Sequence, residues 1–182
     1  DEPIEVRLAN GQNWRPQNFD RETLGPMPLV RALADSRNLA TVQLGLEVGL
    51  EPIARKFPAL GLDREPLRVP SLLLGAVDLS PIEVAQVYNA FASGGIHRPL
   101  HAVQAVGSTD GRMLAAPPRK QRAAADPGAV YQLNRMLTEV MTRGTGSSGT
   151  PLLPAGVVTA GKTGTSSDLR DSWFAGFSGS HL

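Results

Sequence analysis

At 182 residues, with 41% hydrophobic and 19% charged side chains, the chain is long enough for one ordinary domain with a packed core. Its net charge of +1 excludes the strongly basic surface that a nucleic acid or an anionic membrane partner would need. It has no cysteine, which rules out disulfides and thiolate metal sites, and no apolar run approaches the ~20 residues of a membrane helix.

Residues 1–28 are polar and rich in turn formers (Asn10-Gly11, Pro16, Pro26, Pro28), which predicts a loop region pinned by the aromatics Trp14 and Phe19. Leu29–Ala34 reads as a short helix. Thr41–Val48 reads as a second, ended by Gly49, and Glu51–Leu60 as a third, broken at Pro58. Leu72–Asp78 has the look of a strand ending in an aspartate. Ser80-Pro81-Ile82-Glu83 combines a capping box with a proline at the first helical position, so a helix starts there and ends at Gly94-Gly95.

Leu100–Val106 and Arg112–Ala115 flank Thr109-Asp110-Gly111 and predict a hairpin. Residues 115–126 form a basic loop, with Arg119, Lys120 and Arg122 expected on a solvated surface. Asp126-Pro127 caps a helix whose Val130, Leu133, Leu137, Val140 and Met141 recur at spacings of three and four. Arg143-Gly-Thr-Gly146 ends it. Val157–Ser166 and Ser172–Ser178 then read as an antiparallel strand pair joined by a turn over residues 168–171. His97, His101 and His181 have no ligand spacing among themselves or with carboxylates, so no metal or other cofactor is expected.

The stretch Gly156–Thr163 satisfies G-x-x-x-x-G-K-[ST], the phosphate-binding loop. That loop needs a helix directly after Lys-Thr, whose N-terminal amides hold the phosphates. Here Val157 and Val158 fall inside the loop, and Gly-Thr-Ser-Ser follows it with poor helix propensity. A strand fits better. On it Lys162, Gly164 and Ser166 face one way and Thr163 and Thr165 the other. Gly164 admits a close approach, and an exposed edge could pair with an extended peptide.

Lys162-Thr163-Gly164 also matches the K-[ST]-G motif of serine acyl-enzymes, and Ser36-Arg37-Asn38 matches S-x-N. Trp14-Arg-Pro-Gln-Asn18, Pro70–Gly75, Ser80–Ala85, Ala92–Gly95, Arg143–Gly146 and Trp173–Gly176 follow in the same order as in one family. Through these segments the chain resembles the transpeptidase domain of class A, bifunctional penicillin-binding proteins. The family's third motif, S-x-x-K, is not in the chain. Lys56, Lys120 and Lys162 are preceded at that spacing by Ile53, Pro117 and Thr159. The expectation is a truncated domain whose nucleophile lies upstream and whose closing strand and helix lie downstream.

The resemblance implies an α+β, β-lactamase-like transpeptidase fold, a helical group beside an antiparallel sheet, incomplete over these residues. It organises the chain as one partial domain: a polar loop region at 1–28, a mainly helical part with S-x-N at 29–150, and the K-T-G strand pair at 151–182. It implies acyl transfer from a D-Ala-D-Ala stem peptide, with penicillins as competing acylating agents. Ser36 would relay a proton with Lys162 as its cationic neighbour, and Asn38 would hold the peptide amide. Thr163, Gly164 and Thr165 would bind substrate, the threonines through its carboxylate. It further implies a parent protein with a membrane anchor at the periplasmic face of the inner membrane, a glycosyltransferase domain, and room for a regulatory lipoprotein partner. Without the nucleophile these 182 residues alone should be inert toward penicillin. Two rivals stay open: a D,D-carboxypeptidase or β-lactamase that uses water as acceptor, and a non-catalytic peptidoglycan-binding module.

Overall fold

A computed structural model describes residues 1–116, 120–166, 170–179 and 181. The N-terminal region contains a small antiparallel hairpin, β1 (Val6–Arg7) with β2 (Asn13–Trp14). Helix α1 (Leu29–Ala34) follows, then α2 (Asn38–Val48), α3 (Leu50–Ala54) and α4 (Lys56–Leu60). The expected single helix over 51–60 is therefore two. Its break lies at Arg55, and Pro58 sits in the first turn of α4, where a missing N–H costs nothing. Pro70–Leu74 is a 3-10 turn and not the strand expected over 72–78. Val69 precedes a proline and is extended, and Gly75 closes the turn in the left-handed region.

Helix α5 (Pro81–Ala92) starts where the capping box places it, with the Glu83 carboxylate accepting from both the backbone nitrogen and the hydroxyl of Ser80. The expected long hairpin is shorter and shifted. β3 (Ile96–His97) pairs with β6 (Arg122–Ala123), and β4 (Val106–Gly107) pairs with β5 (Met113–Ala115). Part of the basic loop is thus a strand, and the Arg122 guanidinium donates to the Pro58 carbonyl. Lys120 is exposed; Arg119 lies outside the described residues.

Helix α6 (Pro127–Thr142) is capped by Asp126, whose Oδ1 accepts from the Ala129 nitrogen at 2.8 Å. Val130, Leu137, Val140 and Met141 are buried on one of its faces, which packs against α1 and against β7 (Ala160–Thr165). β7 pairs antiparallel with β8 (Ser172–Phe177) in a register that sets Lys162 against Ala175 and Gly164 against Trp173. Residues 168 and 169 of the turn expected at 168–171 lie outside the described residues; at its far end the Asp171 N–H donates to the Ser166 hydroxyl at 2.8 Å. Helix α6 therefore packs against both segments that matter below, α1 and strand β7.

The N-terminal region corrects the expectation of two aromatic pins. Phe19 is 85% exposed, whereas Asp1, Asn18 and Arg37 are buried. Arg37 donates through Nε to Asp1 at 3.0 Å, and its other nitrogens reach Asp20 at 2.5 Å and the Glu22 carbonyl at 2.6 Å. Asn18 donates to Asp1 and to Glu22 O, and accepts from the Leu39 nitrogen. A buried charge is tolerated only when paired and hydrogen-bonded, and this set meets that condition.

Candidate active site

Ser36 sits at the exit of α1 with φ 56, one of two non-glycine residues with positive φ among those described. Its N–H donates to Leu33 O and the Arg37 N–H donates to Ala32 O. This is the paired-bond termination that usually places glycine at the left-handed position. A side chain there costs about 1–2 kcal/mol. What the strain provides is placement: the Ser36 hydroxyl leaves the helix end and accepts a 2.8 Å hydrogen bond from Lys162 Nζ, 126 positions away in sequence.

Lys162 is half-buried on β7. Its ammonium also donates to the Thr163 carbonyl at 3.0 Å and touches the Thr163 hydroxyl at 3.4 Å. Burial lowers its pKa below the ordinary lysine value, because taking the ammonium out of water disfavours the charged form. The lysine thus curls over its own strand, so that Lys162 and Thr163 meet in one cluster although their positions alternate.

Asn38 opens α2, and its Nδ2 donates to the Gln17 carbonyl at 2.8 Å. Ser36, Asn38, Lys162, Thr163, Gly164 and Thr165 all line one cleft of about 700 Å³, together with the exposed Phe19 and with Trp173. The cleft also holds Thr145, which the sequence reading did not single out as a site residue. Its hydroxyl lies 2.6 Å from that of Thr163.

The signal for Thr145 was present in Arg143-Gly-Thr-Gly146. The Thr145 nitrogen donates to Ala34 O at 3.1 Å. A Cβ on Gly144 would come within 2.2 Å of that same carbonyl. Glycine lets the loop lie against the end of α1 and deliver Thr145 to β7.

The glycines of β7 differ in what they serve. A Cβ on Gly161 would strike the Phe174 ring at 2.3 Å, so β8 packing requires glycine there. A Cβ on Gly164 would meet only Trp173 Cβ at an ordinary 3.6 Å. The protein leaves that space to the cleft. The continuous strand through Gly161–Thr165, with no helix after Thr163 among the described residues, lacks the helix N-terminus a phosphate-binding loop requires. Among the described residues no three His, Cys, Asp or Glu side chains converge as a metal-binding group.

Helices beside an antiparallel strand pair, with a lysine and hydroxyls gathered along one strand, define an α+β penicillin-binding fold. The chain belongs to the penicillin-binding protein transpeptidase domain family, whose sequence model matches residues 4–180. It is similar to penicillin-binding protein 1B of Escherichia coli, with 41% identity over 99% of this chain and 22% of that protein. It is also similar to penicillin-binding protein 1B of Vibrio cholerae, at 36% over 98% of this chain and 23% of that protein. The chain spans less than a quarter of the length of either relative. Among solved structures, penicillin-binding protein 1A of Haemophilus influenzae superposes with a TM-score of 0.87 at 20% identity, covering 97% of this chain and 32% of that one. The imipenem acyl-enzyme of penicillin-binding protein A from M. tuberculosis superposes at 0.77 with 23% identity, over 92% of this chain and 43% of that one. At those identities the likeness establishes the fold.

Proposed function

We propose that the protein containing this chain is a peptidoglycan D,D-transpeptidase of the penicillin-binding protein 1B type, and that the described cleft supplies the proton-relay and substrate-binding half of its active site. The observation that carries this reading is the 2.8 Å contact between Ser36 Oγ and Lys162 Nζ, which joins two short motifs across most of the chain.

A serine from upstream attacks the carbonyl between two D-alanines and gives up its hydroxyl proton within the site. The C–N bond breaks, and the terminal D-alanine leaves with a proton delivered through Ser36, so the site's proton count is unchanged. An amine from a second stem peptide then attacks the ester, forms the cross-link and loses a proton, and one returns to the serine oxygen as the C–O bond breaks. A free hydroxyl is a poor acid, so Ser36 needs the adjacent ammonium. Asn38 holds the peptide amide, and Thr163 and Thr165 receive the carboxylate over the open face of Gly164. The Thr165 N–H serves as one oxyanion donor, a contribution whose loss typically costs ~10²-fold or more in rate.

The parent is expected to carry a glycosyltransferase domain, a membrane anchor at the periplasmic face of the inner membrane, and a surface for a regulatory lipoprotein. These expectations follow the relatives and not this chain, in which no described helix is long and apolar enough to cross a membrane. A water-accepting carboxypeptidase or β-lactamase would use the same cleft residues.

The test is mass spectrometry after incubation with a penicillin, on these 182 residues and on a version extended upstream through the next Ser-x-x-Lys. A penicilloyl adduct on the extended chain alone is expected. An adduct on the 182-residue chain would overturn the assignment of the nucleophile. No adduct on either would favour a non-catalytic peptidoglycan-binding module. An amine acceptor added to a stem-peptide thioester then separates transpeptidation from hydrolysis.

A further inference from the structure

The buried cluster around Arg37 lies outside the roles given above, although it sits inside the S-x-N segment, between Ser36 and Asn38. Its carboxylate partners, Asp1 and Asp20, come from the N-terminal region, far from either motif in sequence. We infer that Arg37 is a positioning residue, which acts through Ser36 by fixing the turn that presents the serine hydroxyl to Lys162.

Three features of the geometry lead there. First, the termination at Ser36 uses a non-glycine residue at φ 56, so the turn is not held by its own backbone preference. Second, the residue after such a turn commonly packs an apolar side chain back on the helix. Here that residue is Arg37, whose N–H makes the shorter of the two closing bonds, 2.9 Å to Ala32 O against 3.2 Å from Ser36 to Leu33 O. Third, each of the three guanidinium nitrogens of Arg37 has a partner. Nε and one terminal nitrogen hold Asp1, the same terminal nitrogen holds Glu22 O, and the other holds Asp20. Asp1 is held in turn by Asn18 and by the Leu24 nitrogen.

The planar fork of arginine suits this arrangement, and a point-like ammonium does not. The Glu22 N–H and Arg37 together hold the Asp20 carboxyl below its ordinary range, so this carboxylate stays charged at neutral pH. The same loop reaches Asn38 through Gln17 O, and Arg37 lines the cleft beside both its flanks, with its guanidinium turned to the carboxylates of Asp1 and Asp20.

The inference rests on the proposed relay role of Ser36, and a double-mutant cycle separates the two. In the full-length protein, the acylation rate by a fluorescent penicillin is measured for the parent, Ser36→Ala, Arg37→Met and the double variant. Ser36→Ala alone should slow acylation. Arg37→Met should slow it about tenfold in the parent and by less than twofold when Ser36 is already alanine, because contacting residues that act as a unit are non-additive. Arg37→Lys should recover only part of the loss. An equal cost of Arg37→Met in both backgrounds, or none in the parent, overturns the inference while leaving the relay in place. No effect of Ser36→Ala overturns the relay itself, and the inference with it.

If Arg37→Met does not fold, Asp20→Asn serves the same cycle. It removes one charge at a half-exposed position, and the same non-additivity is expected at smaller amplitude.

Discussion

The two walls of the cleft are built on opposite principles. The Ser36 wall rests on buried polar and charged groups: Asp1, Asn18 and Arg37 are nearly inaccessible, and they tie the N-terminal loop to the end of α1 and the start of α2. The Lys162 wall rests on close approach. β7 meets β8 where Gly161 faces the Phe174 ring, and it is bridged to α1 by a loop that only glycine allows so near Ala34. The first wall holds a strained residue by hydrogen bonds from outside. The second needs no strain and gains its order from missing side chains. Precise placement of two groups 2.8 Å apart has thus been reached by two unrelated means.

The sharpest way to break the contrast is at Gly144. Gly144→Ala drives a Cβ into the Ala34 carbonyl and the Val140 backbone, which cannot yield as a flexible side chain can. It should destabilise the protein by about 3 kcal/mol or more, read as a fall in the urea midpoint. Gly161→Ala should cost about 1–3 kcal/mol by the same logic, since the Phe174 ring must move. Gly164→Ala should change stability by less than ~0.5 kcal/mol, yet lower penicillin acylation of the extended protein. Equal stability losses at 161 and 164 would show that Gly164 is a packing residue.

A pH series sharpens the contrast electrostatically. The folded-state pKa of Lys162 is depressed, so the unfolded chain binds more protons between that value and 10.5. Its contribution to stability therefore rises with pH across that window, and Lys162→Met should remove the rise. Tyr88 on α5 acts with the opposite sign. Burial pushes its hydroxyl from 10.0 to about 12, so stability falls as pH climbs between those values, and Tyr88→Phe should flatten the fall. Denaturation midpoints measured from pH 8 upward for the three proteins check both signs.

A small effect, of the opposite sign to the losses at Gly144 and Gly161, is expected at Ser36. Ser36→Gly relieves the left-handed strain but frees the unfolded chain, so stability should stay level or rise by up to about 1 kcal/mol. Ser36→Ala should bring no such gain. A clear loss with glycine would mean that the Lys162 contact, and not the turn, holds this wall.

The sequence made one wall far more legible than the other. Helices α1, α5 and α6 follow from spacing and caps, because Ser80, Pro81, Glu83 and Asp126 act within three or four residues of themselves. The two motifs were readable as motifs, and their resemblance to a family supplied their pairing. The Arg37 cluster was not readable. Its partners lie 15 to 36 positions away, and nothing in a polar N-terminal stretch distinguishes a buried aspartate from a solvated one. Phe19 misled for the same reason: its size suggested an anchor, while the small amide of Asn18 beside it took the buried place. Thr145 was hidden because its importance comes from a neighbouring glycine's fit against Ala34, a relation between distant backbones. The pairing of strand 96–97 with strand 122–123 was missed because strands of two residues carry no periodicity.

The serine at the end of α1 occupies a position that the backbone itself would rather give to glycine. From an AGC or AGT codon, a single A-to-G change makes that exchange. With stability level or slightly higher, as expected above for Ser36→Gly, the exchange would leave the fold in place. Such a variant would be a well-folded protein without the proposed Ser36–Lys162 contact, so an intact fold is a poor guide to an intact cleft.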